Sequence, residues 1–269
     1  MKERGMTWIE VACDPPYFLA LVPGSHVHLD DLGGGAHRIG DYAERYRGYM
    51  TGSEAADYMI DVGANIGLSA FPVASIPRRV VAFEPVADNV KAMRESAARN
   101  CFGSVTLVEC AISAEVGEAR IYVPLGRADN SSLGEDAANA NVSSPEVHGT
   151  MVPTETIDHW FGEHDDEFCP GDAWLMKIDV QGYETAVLQG AREFIAACRP
   201  FARLQIEFEF DPTLTRMAGY ATVALLELIH AGGLEVYDDG THLAPDSYAE
   251  FCGRGATRDL LARFRPPGA

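Results

Sequence analysis

The sequence is short of several things, and each absence narrows what the chain can do. It has no run of about 18 apolar residues, so no membrane-spanning helix is expected. Its six cysteines, Cys13, Cys101, Cys110, Cys169, Cys198 and Cys252, form no C-x-x-C pair, which points to reduced thiols rather than a disulfide framework or a thiolate metal site. It has no basic stripe. Against 40 acidic residues stand 21 basic ones, a net charge of −19, and the clusters Arg78-Arg79 and Arg254 to Arg265 are short and diluted. Proteins that hold nucleic acid or an anionic membrane neutralise phosphate with clustered Lys and Arg, so neither is an expected partner. His26, His28, His159, His164, His230 and His242 show no metal-ligand spacing, and no metal is expected. The opening "MKERGMTWIEVACDPP" breaks its apolar character with Glu10, Asp14 and two prolines. It does not read as a signal peptide, so a cytoplasmic location is expected.

What is present is a core and an alternation. Hydrophobic residues make up 47% of the chain, which excludes global disorder. From about residue 57, apolar strands alternate with helix-period segments, the signature of a parallel sheet covered on both faces. The strands read as Asp57 to Val62, Arg79 to Glu84, Ser104 to Glu109, Ala173 to Val180 and Ala202 to Phe210. Val187, Ala191, Phe194, Ile195 and Cys198 recur at helical spacing, as do Val90, Met93 and Ala97. Asp239-Gly240 between two short apolar runs reads as a hairpin. Two regions break the pattern. Residues 1–56, with Pro15-Pro16, Pro23-Gly24 and Gly33-Gly34-Gly35, read as an N-terminal extension or cap that ends in a helix near Asp41 to Met50. Within the main domain, 57–269, the polar stretch 124–153 is long for a connection and reads as a loop or a substrate lid.

The stretch "MIDVGANIGLSAF", Met59 to Phe71, runs from strand through a Gly-rich turn to a helix, as nucleotide-type ligands are cradled against parallel sheets. A dinucleotide site wants G-x-G-x-x-G. Here Asn65 replaces the middle glycine and Leu68 stands at the third. Asp61, two residues before Gly63, would repel a phosphate. An amino-acid-like ligand suits the turn better, its ammonium against Asp61 and its carboxylate on the turn amides. S-adenosylmethionine carries both groups. Glu84, at the end of the next strand, can accept both ribose hydroxyls of an adenosine. One strand on, Glu109, Cys110 and Ala111 fall where an adenine would lie. At the end of the fourth strand, "KIDVQGYE" aims Asp179 at the reacting end of such a ligand, since ligands bind beyond the carboxyl ends of parallel strands.

The pieces "IDVGANIG", "FEP", "VECAIS", "DNSSL", "VPTETID" and "LMKIDVQGYETAVLQGA", spread over roughly residues 57 to 212, resemble the FkbM family of S-adenosylmethionine-dependent methyltransferases. The resemblance implies a class I methyltransferase (Rossmann-like) α/β fold, a mostly parallel seven-stranded sheet with helices on both faces. It implies methyl transfer, commonly to a hydroxyl of a natural product or sugar. By the family pattern Asp61, Gly63, Asn65, Gly67, Glu84 and Pro85 hold the cofactor, with Cys110 and Ala111 beside it. Asn130 and the neighbouring serines, Ser131 and Ser132, border the pocket, and Asp179 faces the methyl group. The family often has Glu where this chain has Gln181, which leaves the role of that position open. Residues 1–50 and those after Asp211 match no part of the pattern and are expected to shape acceptor choice.

A hydroxyl acceptor benefits from a base. Asp179 is the first candidate, Glu207 the second, and His148 in the 124–153 segment the third; Lys177 and Glu184 are expected to support the loop. Two other readings remain open: a nicotinamide-dependent (NAD(P)) oxidoreductase on a related Rossmann fold, and a non-catalytic cofactor-binding protein. The partner expected is a small-molecule acceptor.

Overall fold

The structure, a computed structural model, describes residues 6–11, 13–22, 24, 36–51, 55–140, 146–164, 166–169 and 171–265, without the side chains of 36–42. His26, His28, the Gly33 to Gly35 run and residues 141–145 of the polar segment lie outside this description. The strands are β1 (Thr7–Val11), β2 (Tyr17–Leu21), β3 (Tyr58–Val62), β4 (Arg79–Phe83), β5 (Val105–Val108), β6 (Ala111–Ile112), β7 (Gly117–Pro124), β8 (Val147–Glu155), β9 (Trp174–Ile178), β10 (Leu204–Phe210), β11 (Leu234–Asp238), β12 (Thr241–Leu243) and β13 (Arg258–Phe264).

The main sheet runs β12-β11-β13-β10-β9-β3-β4-β5. The five strands β5, β4, β3, β9 and β10 are parallel, and β13 enters antiparallel between β10 and β11. All five are among the strands read from apolar runs, each within two residues at either end. The sheet has an eighth strand beyond the expected seven. Asp239 and Gly240 both take positive φ, 47° and 76°, the geometry of a tight hairpin turn, and this turn adds the three-residue β12 at the edge.

Because side chains alternate along a strand, each face of the sheet has its own core. On one side Ile60, Val62, Met176, Ile178, Ile206 and Phe208 join Val187, Phe194, Ile195 and Leu226 of the covering helices. The expected single helix there is two, Glu184–Gln189 and Arg192–Cys198. The chain breaks at Gly190, where a Cβ would lie 2.2 Å from the Ser113 carbonyl oxygen. On the other side Met59, Val80, Ala82 and Leu175 pack with Met93, Tyr46 and Phe71.

The N-terminal hairpin β1–β2 belongs to this second core through Val11, Tyr17, Leu19 and Leu21. It is fastened to the helix Ala87–Asn100 by side chains. Asn100 accepts from the Phe18 amide and donates to the Phe18 carbonyl, at 2.8 and 2.6 Å, and the Ser96 hydroxyl accepts from the Ala20 amide. Arg99 lies between the rings of Trp8 and Phe18. In the polar segment, β8 pairs with β7 and β6 in a three-stranded sheet, and a 3₁₀ turn, Ala128–Asn130, precedes the short helix Glu135–Asn139. No helix among the described residues is long and apolar enough to cross a membrane.

Candidate active site

The loop after β3 is shaped by its neighbours. Gly63 has φ 75°, and a Cβ there would lie 2.0 Å from the Asp179 carbonyl oxygen. Only glycine lets the ends of β3 and β9 pass so closely. The amides of Gly63 and Ala64 donate to the Phe83 carbonyl, that of Asn65 to Glu84 Oε2, and that of Gly67 to Ala64. The first three N–H groups are therefore occupied in stitching the loop to the end of β4, and the fourth in closing the loop on itself. The expectation that the turn amides hold a ligand carboxylate fails for them.

A cleft of about 590 Å³ opens beyond the carboxyl ends of the parallel strands. Of the residues expected to form a site, Gly63, Asn65, Glu84, Pro85, Cys110, Ala111, Ser131 and Asp179 line it, and Asp61, Gly67, Asn130 and Glu207 do not. Asp61 is fully buried. Its carboxylate accepts from the Ser69 hydroxyl and lies 3.4 Å from Lys177 Nζ, so its ammonium partner is a lysine of the same chain. Gly67 sits against the Phe71 ring. Asn130 Oδ1 accepts from Arg127. Glu207 is turned under the helix Ala36–Tyr49, where the Tyr46 hydroxyl and Arg45 both reach its Oε1, at 2.8 and 2.9 Å.

Asp179 is placed differently. Its side chain is 35% exposed, against 5% for Glu207. Oδ1 accepts from the Gln181 amide at 2.8 Å, and Oδ2 lies 3.6 Å from Lys177 Nζ. Lys177 also donates to the Gly63 carbonyl at 2.8 Å, so one buried ammonium ties the glycine loop, Asp61 and Asp179 together. Glu184 accepts from the amides of Val180 and Gly182 and so holds the turn that carries Asp179. Burial pushes its carboxyl up to about 7. Glu84 accepts from Val86, Asn89 and Asn65, yet burial still pushes it up to about 7. Burial also lifts the Cys110 thiol to about 12, with Glu155 adding to it, which leaves an apolar surface rather than a nucleophile.

Several lining residues escaped the sequence reading. Tyr183, Asp129 and Leu133 line the cleft, beside Ser132, one of the serines expected to border it. The Ser132 hydroxyl donates to the Gln181 carbonyl, which fastens the segment after β7 across the site. Glu209 accepts from Gln181 Nε2 at 3.1 Å. Its signal was available, since it lies two residues beyond Glu207 and so on the same face of β10. Among the described residues no three of His, Cys, Asp and Glu are grouped to hold a metal ion.

An open, mostly parallel sheet with one antiparallel strand inserted near its edge, and a cleft at the strand ends walled by a Gly-rich turn and an acid on the next strand, defines a class I methyltransferase fold. The chain belongs to the FkbM methyltransferase domain family, whose match covers residues 61–233. Its cofactor is S-adenosylmethionine. No curated protein matches the sequence. Among solved structures, the chain is similar to geranyl diphosphate methyltransferase in complex with SAM, at 13% identity and a TM-score of 0.43, with 90% of this chain and 97% of the other covered. It is also similar to precorrin-6y C5,15-methyltransferase from Geobacter metallireducens, at 11% identity and a TM-score of 0.40 over 83% and 89%. Magnesium protoporphyrin IX methyltransferase from Synechocystis with bound SAM follows at 10% identity and a TM-score of 0.41, over 85% and 79%.

The cleft suits that cofactor on its own chemistry. Asn65 Oδ1 is buried there without a partner, an acceptor waiting for an N–H or O–H. A carboxylate has about four lone-pair sites. Glu84 uses three of them, which leaves one on Oε2 for a ribose hydroxyl. Cys110, Ala111, Ile112 and Ile121 give the apolar wall an adenine needs.

Proposed function

We propose that the protein is an O-methyltransferase acting on a hydroxyl of a small molecule, with Asp179 as the base. When bound, S-adenosylmethionine supplies a methyl group on a sulfonium, an electrophile that a nearby nucleophile can attack in line. Glu84 and Asn65 hold the nucleoside and amino-acid portions, and Cys110 and Ala111 pack on the base. Ser131 closes the same wall. Asp179 accepts the proton of the acceptor hydroxyl as its oxygen takes the methyl group, and Lys177 steadies the carboxylate before and after. Holding nucleophile and methyl in attack geometry supplies most of the acceleration. Asp61 and Gly67 serve the cofactor indirectly, by shaping the loop that presents Gly63 and Asn65.

The observation that carries this reading is the contrast between the two candidate bases. Asp179 lines the cleft with an exposed edge, whereas Glu207 is committed to Tyr46 and Arg45. The test has two arms. Mass spectrometry of small molecules released from the denatured protein should find S-adenosylmethionine or S-adenosylhomocysteine. With an acceptor in hand, Asp179→Asn should lower the rate roughly 10²–10⁴-fold, the span of general-base catalysis, with S-adenosylhomocysteine affinity little changed. Unaltered turnover in this variant would remove Asp179 from the chemistry.

A further inference from the structure

Gln181 occupies a strained position for a reason visible in its side chain. Its φ is 52°, a left-handed conformation that a non-glycine residue adopts at a cost. The conformation brings Nε2 within 2.8 Å of Asp179 Oδ1 and 3.1 Å of Glu209 Oε2. A primary amide has two N–H donors, and here each has a carboxyl acceptor. The backbone is held as well, because the Gln181 carbonyl accepts from Ser132. Asp179 is therefore gripped on both oxygens, by Lys177 on one side and Gln181 on the other, and Gln181 in turn is oriented by Glu209. A base oriented by a third group is a recurring device in active sites.

We propose that Glu209 is a positioning residue for methyl transfer, acting through the Gln181 amide to fix the direction of the Asp179 carboxylate. The inference rests on the reading of Asp179 as the base. Asp179, Gln181 and Glu209 then form one unit at the acceptor end of the cleft, drawn from the end of β9, the turn after it and β10.

The electrostatics agree with this geometry. Among the described residues, Glu209 is faced by Asp179 and Glu184 from the β9 turn, by Asp211 at the end of its own strand and by Asp259, its register partner on β13. The cations nearby are committed elsewhere: Arg45 pairs with Glu207 and Asp259, and Lys177 with Asp61 and Asp179. Burial first, and then these four acids, push the Glu209 carboxyl up to about 8. At neutral pH it holds its proton, so its contact with Gln181 places no second full charge beside Asp179.

The test reads carboxyl carbons by NMR in uniformly labelled, full-length protein, with Asp179→Asn and Glu209→Gln used for assignment. Glu209 should titrate near pH 8. Its midpoint should fall in Asp179→Asn, which removes a neighbouring charge, and rise in Gln181→Met, which removes a donor to the charged form. The position readout is the Asp179 carboxyl shift, which should move in Glu209→Leu and return close to its original value in Glu209→Gln, since glutamine restores an oxygen that can accept from Gln181. An unmoved Glu209 midpoint in both Asp179→Asn and Gln181→Met overturns the proposal, as does an Asp179 shift indifferent to Glu209→Leu. Calorimetric binding of S-adenosylhomocysteine by the unsubstituted protein separates the two readings. If that binding is missing, the methyltransferase assignment of the cleft fails whatever the carboxyl shifts show.

Discussion

The two faces of β3, β9 and β10 are both buried, and they are built on different principles. One face presents Ile60, Val62, Met176, Ile178, Ile206 and Phe208, the apolar run expected of parallel strands covered by helices. The other presents Asp61, Lys177 and Glu207 side by side, since Lys177 is in register with both acids. These three are also buried. Desolvating such a row costs several kcal/mol per ion before any pairing, so an apolar row would hold the helix Ala36–Tyr49 more simply. The polar row does what an apolar one could not. It runs from the glycine loop, through Lys177 to Asp179, and through Glu207 to Arg45 and Asp259. The difference teaches that one face of these strands is apolar throughout, while the other sets polar connections up to the cleft beside an apolar core of its own, Met59 and Leu175 among it.

The sharpest way to break the comparison is to remove the centre of the polar row. Lys177→Met leaves Asp61 fully buried with its cation gone. Breaking one partner of a buried pair costs about 3–5 kcal/mol, and urea denaturation should show a loss of that order. Ile178→Val on the apolar face should cost only about 0.5–1.5 kcal/mol. Similar losses for the two would erase the distinction between the faces.

Next in size is the dependence of stability on pH. Glu84 and Glu184 are pushed up to about 7 and Glu209 to about 8, all from an ordinary value of 4.5. The folded protein therefore binds these protons more tightly than the unfolded chain. Their contribution to stability is complete below about pH 4.5 and is lost as pH rises through 7 to 8. The melting temperature of the cofactor-free protein should fall by several degrees between pH 5 and 8.5. A flat profile would mean that the polar groups near the cleft are better solvated than their burial implies.

Glu84→Gln comes third. It keeps the shape but removes the charge that a ribose hydroxyl would bind, and its NH2 group meets an N–H donor, of Asn65 or of Val86 and Asn89, where the carboxylate accepted. S-adenosylhomocysteine affinity should weaken by about 1–3 kcal/mol, the range for hydrogen bonds to a charged group, as read by calorimetry at pH 8. The loss should shrink at pH 6, where Glu84 itself is largely protonated. A loss of equal size at both pH values would detach the effect from the carboxylate charge.

The legible part of the fold was the apolar part. β3, β4, β5, β9 and β10 announce themselves as apolar runs, and the β11–β12 hairpin as Asp239-Gly240. β7 and β8 do not, because "VHGTMVPTE" is largely exposed and interrupted by Gly149 and Pro153, and "GEARIYVP" opens on exposed Gly117 and Glu118. Their pairing is a long-range fact that no local alternation carries. β13, "RDLLARF", is flanked by charges and reads equally well as a helix turn. At the site, Glu84 and Asp179 were legible because they end strands that point at the cleft. Asp61 and Glu207 looked the same in sequence and were not. An acid near a strand end can face a ligand or the underside of a helix, and here Ser69, Tyr46 and Arg45 decide, from segments distant along the chain. Gly63 was legible as a required glycine, but the space it keeps clear belongs to the Asp179 carbonyl.

The smallest predicted effect tests how far the apolar cover is independent of the site. The hairpin β1–β2 shares the core on the polar row's side of the sheet, yet its own fastening to the helix Ala87–Asn100 is local. Arg99 lies 4.5 Å from the Trp8 ring centroid and 4.2 Å from that of Phe18. At an exposed position such contacts contribute about 0.5–1 kcal/mol. Arg99→Met keeps an apolar stem over the rings and removes the charge, so urea denaturation should register a loss of about that size. The loss should diminish little with salt, since an ion over an aromatic face depends less on screening than a surface pair does. S-adenosylhomocysteine affinity should not change, because effects at sites more than about 7–10 Å apart with no shared partners combine independently. A variant that kept its stability and lost cofactor binding would tie the hairpin to the cleft, and would move residues 7–21 from the cover of the sheet into its working face.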